Sequence, residues 1–420
     1  MATSIPSQPL PASASMTSAA AAAPKRKLVV VAGVVAVALI GLNLRAGITS
    51  AASLFHDLQA VLGYGPVVAS ILPTIPLLCF AFAGLATPWL VRKTGVEKAI
   101  LVSLTLLAAG LLVRGIPTTG VLLAGTVLAM SGLAVCNVAM PVFIREHYAA
   151  KTPMMTGLYT FTMSAGATIA ASVSVPLAGQ LGSPSLGLAA WGLLGVAALL
   201  GFVPMVLHTH RRKSRKDAER VSMWPLLRTR HGLLITAVFT FQGFLAYGVM
   251  SWFAYLLTSR GLGATESGLQ FGLMQILSVF AGMVLLAFGS RPGMLRPAFY
   301  LASSSTLAGI VAMLLLPVSW AAVPAVLTGF GLGIFPLVLM VISRSGRSTA
   351  ETTALSTVAQ SLGYLIAAAG PFGVGLLHSA SGGWTLPLGL LIVASLALMA
   401  SCHLMTAKGV LPQAGPKTVK

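Results

Sequence analysis

Acidic residues are almost missing from this chain. Its 420 residues hold seven Asp/Glu against 26 Lys/Arg, and all charged residues make up 8% of the sequence. A soluble globular chain carries about 25%. Charge-free stretches cover 28–44, 58–91, 115–144, 152–207, 232–259, 267–290, 297–343 and 352–407. A helix needs about 20 apolar residues to cross a hydrocarbon core of about 30 Å. These stretches therefore exclude a soluble domain and predict a polytopic helical membrane protein. They run without the alternation of a transmembrane β-barrel, which is excluded as well. The three cysteines, Cys79, Cys136 and Cys402, lie far apart inside apolar stretches. That excludes a disulfide framework or metal cluster and leaves them as small core residues. No two histidines have metal-ligand spacing within a span, and no metal or other cofactor is expected.

Other absences narrow the function. There is no phosphate-cradling G-x-x-x-x-G-K-[ST] loop, so ATP does not drive the chain directly. There is no buried carboxylate pair and no nucleophile–base set, which argues against a membrane-embedded enzyme. The net charge of +19 raises the question of nucleic acid. The basic residues, however, fall in short clusters separated by spans and form no single patch, so no nucleic-acid partner is expected. Glycine is plentiful at 44 residues, which suits close helix approach in a lipid bilayer.

The longest apolar stretches must divide at turns. Gly182-Ser183-Pro184-Ser185, Pro317-Val318-Ser319-Trp320 and Ser379-Ala380-Ser381-Gly382-Gly383 supply the breaks. Twelve spans result, near 28–55, 66–90, 97–115, 119–144, 154–180, 186–207, 232–258, 266–289, 296–316, 321–343, 352–377 and 384–406. With the N-terminus in the cytoplasm, 23 of the 26 Lys/Arg fall on cytoplasmic segments. Arg114 and Arg260 fall in outer loops, and Arg45 falls inside a span. This asymmetry obeys the positive-inside rule and supports twelve spans with both termini inside.

The domain plan follows. A disordered tail rich in Ala, Ser and Pro covers 1–27; the cluster Lys25-Arg26-Lys27, opening a long span, argues against a secretory signal. A six-helix bundle covers 28–207, a basic cytoplasmic linker 208–231, a second six-helix bundle 232–406 and a C-terminal tail 407–420. The basic run at 211–220 is expected to face anionic headgroups. The two halves resemble each other: Gly132-Leu133 with Pro141 and Arg145 parallels Gly331-Leu332 with Pro336 and Arg344. Six plus six related helices is the plan of a rocking-bundle transporter, with its site between the halves at mid-membrane.

Particular motifs carry a resemblance. They are Asn43-Leu44-Arg45-Ala46-Gly47-Ile48-Thr49-Ser50, Leu72-Pro73-Thr74-Ile75-Pro76, Cys136-Asn137-Val138-Ala139-Met140-Pro141, Met155-Thr156-Gly157-Leu158-Tyr159-Thr160, Gly333-Ile334-Phe335-Pro336-Leu337, Ala359-Gln360-Ser361-Leu362-Gly363-Tyr364 and Gly382-Gly383-Trp384-Thr385. Over roughly 28–406 the chain resembles the major facilitator superfamily, and more narrowly the family of cyanate and nitroimidazole permeases (CynX/NimT). The resemblance implies an all-α fold of two six-helix bundles. It also implies secondary active transport of a small solute by alternating access, in a bacterial inner membrane, by a monomer. The cargo would be a small anion such as cyanate, a small organic acid or a small polar heterocycle. The alternative is a drug or metabolite efflux permease. The superfamily's loop after its second span usually reads Gly-x-x-x-Asp-Arg-x-Gly-Arg-Arg. Here the acidic position is lost, while Arg92, Lys93 and Gly95 keep the basic pair and the glycine as gating candidates.

Arg45 is the sharpest candidate site residue. Counted from residue 28 it lies about 26 Å along its helix, in the outer half of the membrane. An intramembrane Arg is costly and faces a cavity or a partner. Its planar fork suits a carboxylate or small oxyanion. The competing reading is a structural Arg bonded to helix carbonyls. Asn43 flanks it, and Thr49 shares its face. No Asp or Glu is expected mid-membrane, so a coupling proton would ride on the anion or on an edge residue such as Asp57. The cargo is then anionic or neutral, since a cation would need a carboxylate or an aromatic cage. Asn137, Tyr159, Gln242, Tyr247, Gln275, Gln360 and Tyr364 are cavity candidates, each with interhelical bonding as the alternative. Pro73 and Pro76 should bend the second span, as a gate or only for packing.

Overall fold

The computed structural model describes residues 16–208, 224–346 and 348–407. The basic run at 211–220, Arg347, the first part of the N-terminal tail and the C-terminal tail from 408 lie outside the described residues. Among the described residues the chain is helical throughout. The elements are α1 (Met16–Leu62), α2 (Pro66–Ile71), α3 (Ile75–Thr94), α4 (Val96–Val113), α5 (Thr119–His147), α6 (Thr152–Gln180), α7 (Pro184–His208), α8 (Trp224–Leu227), α9 (Arg230–Ser259), α10 (Ala264–Gly289), α11 (Leu295–Leu315), α12 (Ala322–Leu332), α13 (Phe335–Ser345), α14 (Thr349–Ala367), α15 (Ala369–Ser381) and α16 (Thr385–Met405). Eleven helices are long and apolar enough to cross a membrane, and counting the bent α3 as one span makes twelve. The expected spans and breaks coincide with these elements, except that the second, tenth and eleventh spans are each split in two.

Local chemistry sets the ends. Ser348 accepts a hydrogen bond from Glu351 N at 3.1 Å and starts α14, and Thr229 accepts from Gly232 N at 3.0 Å and starts α9. Gly95, at φ +90°, makes the one-residue corner between α3 and α4, and Gly382, at φ +66°, ends α15; both conformations favour glycine.

Close helix contacts repeat between the halves. A Cβ on Gly132 of α5 would fall 2.3 Å from Ser103 O of α4, and one on Gly331 of α12 would fall 2.5 Å from Thr306 N of α11. A Cβ on Gly110 would fall 2.4 Å from Ala129 N in the first half, and one on Gly309 would fall 2.7 Å from Thr328 N in the second. The same glycine-mediated pairing therefore joins the third and fourth spans of each half, where small residues let backbones approach.

The halves meet along four seams: α1 on α9, α6 on α10, α3 on α14 and α2 on α15. The two broken spans, α2–α3 and α14–α15, thus face each other. At the end of the bundle away from the chain termini, here the distal end, the halves lock. Tyr255 donates to Gln59 Oε1 at 3.1 Å, and the Tyr255 ring packs on His56, Trp252, His378 and Trp384. A Cβ on Gly375 would meet the Trp252 ring at 2.5 Å and Ser70 Oγ at 2.6 Å, so the seam is tight. At the other end, Glu97 pairs with His147 at 3.1 Å within the first half.

Two positions differ from expectation. α1 continues to Leu62, past the distal end of the expected span 28–55. Arg114 follows α4 directly and is fully buried instead of lying in an outer loop.

Candidate functional site

The site grows from one half-buried cation. Arg45 leaves α1 and points across the seam toward α9, where its Nη1 stands 3.8 Å from Met250 Sδ. It lies close enough to Tyr159 of α6, Tyr247 of α9 and Tyr364 of α14 to interact electrostatically with all three hydroxyls. Phenols on three helices, from both halves, thus lie near one guanidinium. Among the described residues no carboxylate pairs with Arg45: the two ion pairs there are His56–Asp57 and His147–Glu97.

Each partner has a physical reason for its place. Tyr159 donates its hydroxyl to Asn137 Oδ1 at 3.0 Å, which fixes the phenol against α5. Tyr247 and Tyr364 pack edge to face, with ring centres 6.2 Å apart. Phe80 of α3 sits on both, at 6.4 and 5.4 Å, and Phe239 backs Tyr364 at 5.0 Å. The aromatic wall leaves the phenolic oxygens and the guanidinium as the polar groups of the site. Such a set suits a small anion, or a flat polar ring stacked on Phe80 and Tyr364.

The other candidates fall elsewhere. Asn43 gives its amide to Leu39 O at 2.9 Å and Leu194 O at 3.0 Å, joining α1 to α7. Thr49 is buried and donates to Arg45 O at 3.0 Å. Gln360 donates to Ser356 Oγ at 2.7 Å within α14. Gln242 and Gln275 are buried, and among the described residues no hydrogen bond joins them to the Arg45 cluster. Pro73 and Pro76 bracket the break between α2 and α3. Arg92 and Lys93 occupy the last turn of α3, where cations complement the helix dipole, and Lys93 lies over the Trp89 ring at 5.0 Å. Gly95 makes the corner that follows. Among the described residues no His/Cys/Asp/Glu group has the makings of a metal site.

Three participants escaped the sequence reading. Phe80 and Met250 are apolar residues among many, with no local signal of a role. Arg114 carried a signal, a charge tight against the end of an apolar run, but read as an outer loop residue. It is 0% exposed, and both its Nη atoms donate to Gly47 O of α1 at 3.4 Å.

The chain has relatives of known kind. It is 31% identical over 369 residues to "Uncharacterized transporter YycB" of Bacillus subtilis (strain 168), covering 86% of this chain and 90% of that one. It is 28% identical to the 2-nitroimidazole transporter of Escherichia coli (strain K12), covering 89% and 94%, and 26% identical to that organism's cyanate transport protein CynX, covering 82% and 90%. The fold matches the crystal structure of the nucleoside transporter NupG with a TM-score of 0.73 at 10% identity, over 89% of this chain and all of that one. These relatives are transporters, not enzymes. The model of the Major Facilitator Superfamily matches residues 34–368, and with two six-helix halves meeting at a charged, aromatic centre the chain belongs to that superfamily as a secondary transporter of small solutes.

Proposed function

We propose that the cargo is a small monovalent anion of cyanate or small-carboxylate type, bound between the halves at Arg45. The observation that carries this is the guanidinium inside α1, without a carboxylate partner among the described residues and near Tyr159, Tyr247 and Tyr364. A cation inside an apolar bundle without a counter-charge is costly; an anionic cargo supplies the missing charge while bound. Relatives named for cyanate and 2-nitroimidazole transport support a cargo of this size. Alternating access proceeds by rocking of the halves across the Arg45–Met250 seam. The protein works as a monomer in a bacterial inner membrane, with both termini in the cytoplasm. A coupling proton, where one is used, travels with the anion, because among the described residues no carboxylate pairs with Arg45.

A second reading rests on the Phe80–Tyr364 wall, which offers a flat polar heterocycle a stacking face. Reconstituted proteoliposomes separate the two. Cyanate counterflow should be saturable and should fall at least about tenfold in Arg45→Gln, the effect of about 1.4 kcal/mol of binding. Equal cyanate flux in Arg45→Gln overturns the anion reading. 2-Nitroimidazole flux that survives Arg45→Gln but fails in Phe80→Ala supports the heterocycle.

A further inference from the structure

Arg114 is a second guanidinium inside the bundle, and the protein does not satisfy it. Its side chain is fully buried. Two long bonds to one carbonyl, Gly47 O, take its Nη atoms, and the Nε–H has no partner. Among the described residues no carboxylate pairs with it. A guanidinium has five N–H donors and normally meets an anion or several acceptors. A mere clasp between α4 and α1 would leave a buried charge unbalanced.

Arg114 is one of the residues around a cavity of about 20 Å³ between α1, α5 and α9. That is room for one small group. Thr49, Thr126 and Ser251 also line it. Thr49 and Thr126 give their hydroxyl hydrogens to Arg45 O and Leu122 O. That leaves Arg114 Nε–H, which no protein acceptor satisfies, and the Ser251 hydroxyl as the donors among these lining residues. The α1 lining runs from Gly47 to Phe55, distal to Arg45. Met250 belongs to both places: it lines this cavity, and its sulfur stands 3.8 Å from Arg45 Nη1.

We propose that this cavity is a second station for the transported anion, in which Arg114 Nε–H and Ser251 receive a small monovalent ion passed beyond the Met250 side chain from Arg45. The cavity's size limits the occupant to a halide-sized or slim triatomic ion, and its donors require negative charge. The station rests on the reading that the cargo is anionic, and it makes the route a relay of two cations in place of one site.

The test is equilibrium binding of radiolabelled cyanate to the purified full-length protein in chloride-free gluconate buffer. The wild type should bind two cyanates per chain, and Arg45→Gln should keep one. That remaining site should weaken by about tenfold or more, 1.4 kcal/mol or above, when Arg114→Gln is added. It should weaken equally with Ala52→Val, which fills the cavity and leaves both guanidiniums; this arm stands if the Arg114 variant fails to fold. No binding in Arg45→Gln alongside one site in the wild type overturns the station and leaves the Arg45 site intact. Residual binding indifferent to both additions also overturns it. Residual binding of chloride that cyanate cannot displace marks a resident ion and overturns it as well. Wild-type binding unchanged in Arg45→Gln sinks the Arg45 site instead, and wild-type protein that binds no cyanate overturns both.

Discussion

Met250 Sδ in the second half stands 3.8 Å from Arg45 Nη1 in the first. A cation at the seam thus rests against a soft, polarisable side chain and not an acid. A thioether neither neutralises the guanidinium nor holds it tightly, so the side chain remains able to turn toward a cargo. An acid in its place would form an ion pair that the anion would have to break.

The two residues should be coupled in binding. Met250→Leu conserves volume and should leave cyanate affinity within about twofold. Met250→Ala removes the wall and should weaken it. A cycle of Arg45→Gln with Met250→Ala should show an interaction of about 0.5–3 kcal/mol, the range for residues in contact. Strict additivity in measured cyanate affinity would separate Met250 from the site.

Tyr159 and Asn137 should act as one unit. The 3.0 Å hydrogen bond holds the Tyr159 phenol, a neighbour of Arg45, against Asn137. Tyr159→Phe leaves a half-buried amide oxygen without its donor, at a cost of about 1 kcal/mol or somewhat more. That predicts about a fivefold loss of transport affinity. Asn137→Ala should give a similar loss, and the double variant should be no worse than the stronger single. Cyanate counterflow in the three variants decides this, and summed losses would mean that the residues act separately.

The distal seam should be sensitive to volume. Gly375 faces Trp252 and Ser70 with no room for a Cβ. Gly375→Val should hold α15 away from α2 and keep the distal end from closing. Ser70 is buried there, so a Ser70→Cys reporter should be labelled slowly by maleimide in the parent and much faster with Gly375→Val. Unchanged labelling would show that the seam yields without opening.

The fold was legible because lipid imposes it. Uninterrupted apolar length marks each span, and Gly or Pro clusters such as Gly182-Ser183-Pro184 mark the turns that the structure shows. The charged centre was legible in part. Arg45 stood out because a charge inside an apolar run has few explanations. Asn43 and Gln360 looked the same as Asn137 and Tyr364 in sequence, since polarity alone does not say which way a helix face turns; their bonds to Leu194 O and Ser356 Oγ do. Arg114 misled because its distance along the chain placed it at the surface, while its long side chain reaches back into the core, the snorkel run in reverse. The splits at Gly333 and Ala368 carry a local mark that was not read as a break: Pro336 has no N–H for Leu332 O and Pro371 none for Ala367 O.

The second span should owe its mobility to two prolines. Leu72 N still bonds Val68 O at 3.0 Å, so α2 is helical up to the break. Pro73 then offers no N–H to Ala69 O, and Pro76 offers none to Leu72 O. Thr74 N turns to Ile71 O at 2.9 Å and Leu77 N to Thr74 O at 3.1 Å, the tighter three-residue pattern. Both prolines also line the cavity beside Arg114, so bending here changes the walls around the seam. Replacing both with alanine restores two donors and lets one helix run through Leu72–Thr74. The Arg45 cluster is untouched by this change, so cyanate affinity should stay within about twofold, while the maximal counterflow rate should fall by about tenfold as the span stiffens, the mark of a hinge whose motion limits turnover. A double variant with the parent's rate would reduce the break to a packing feature, and one that lost affinity at the parent's rate would place the prolines in the binding site instead.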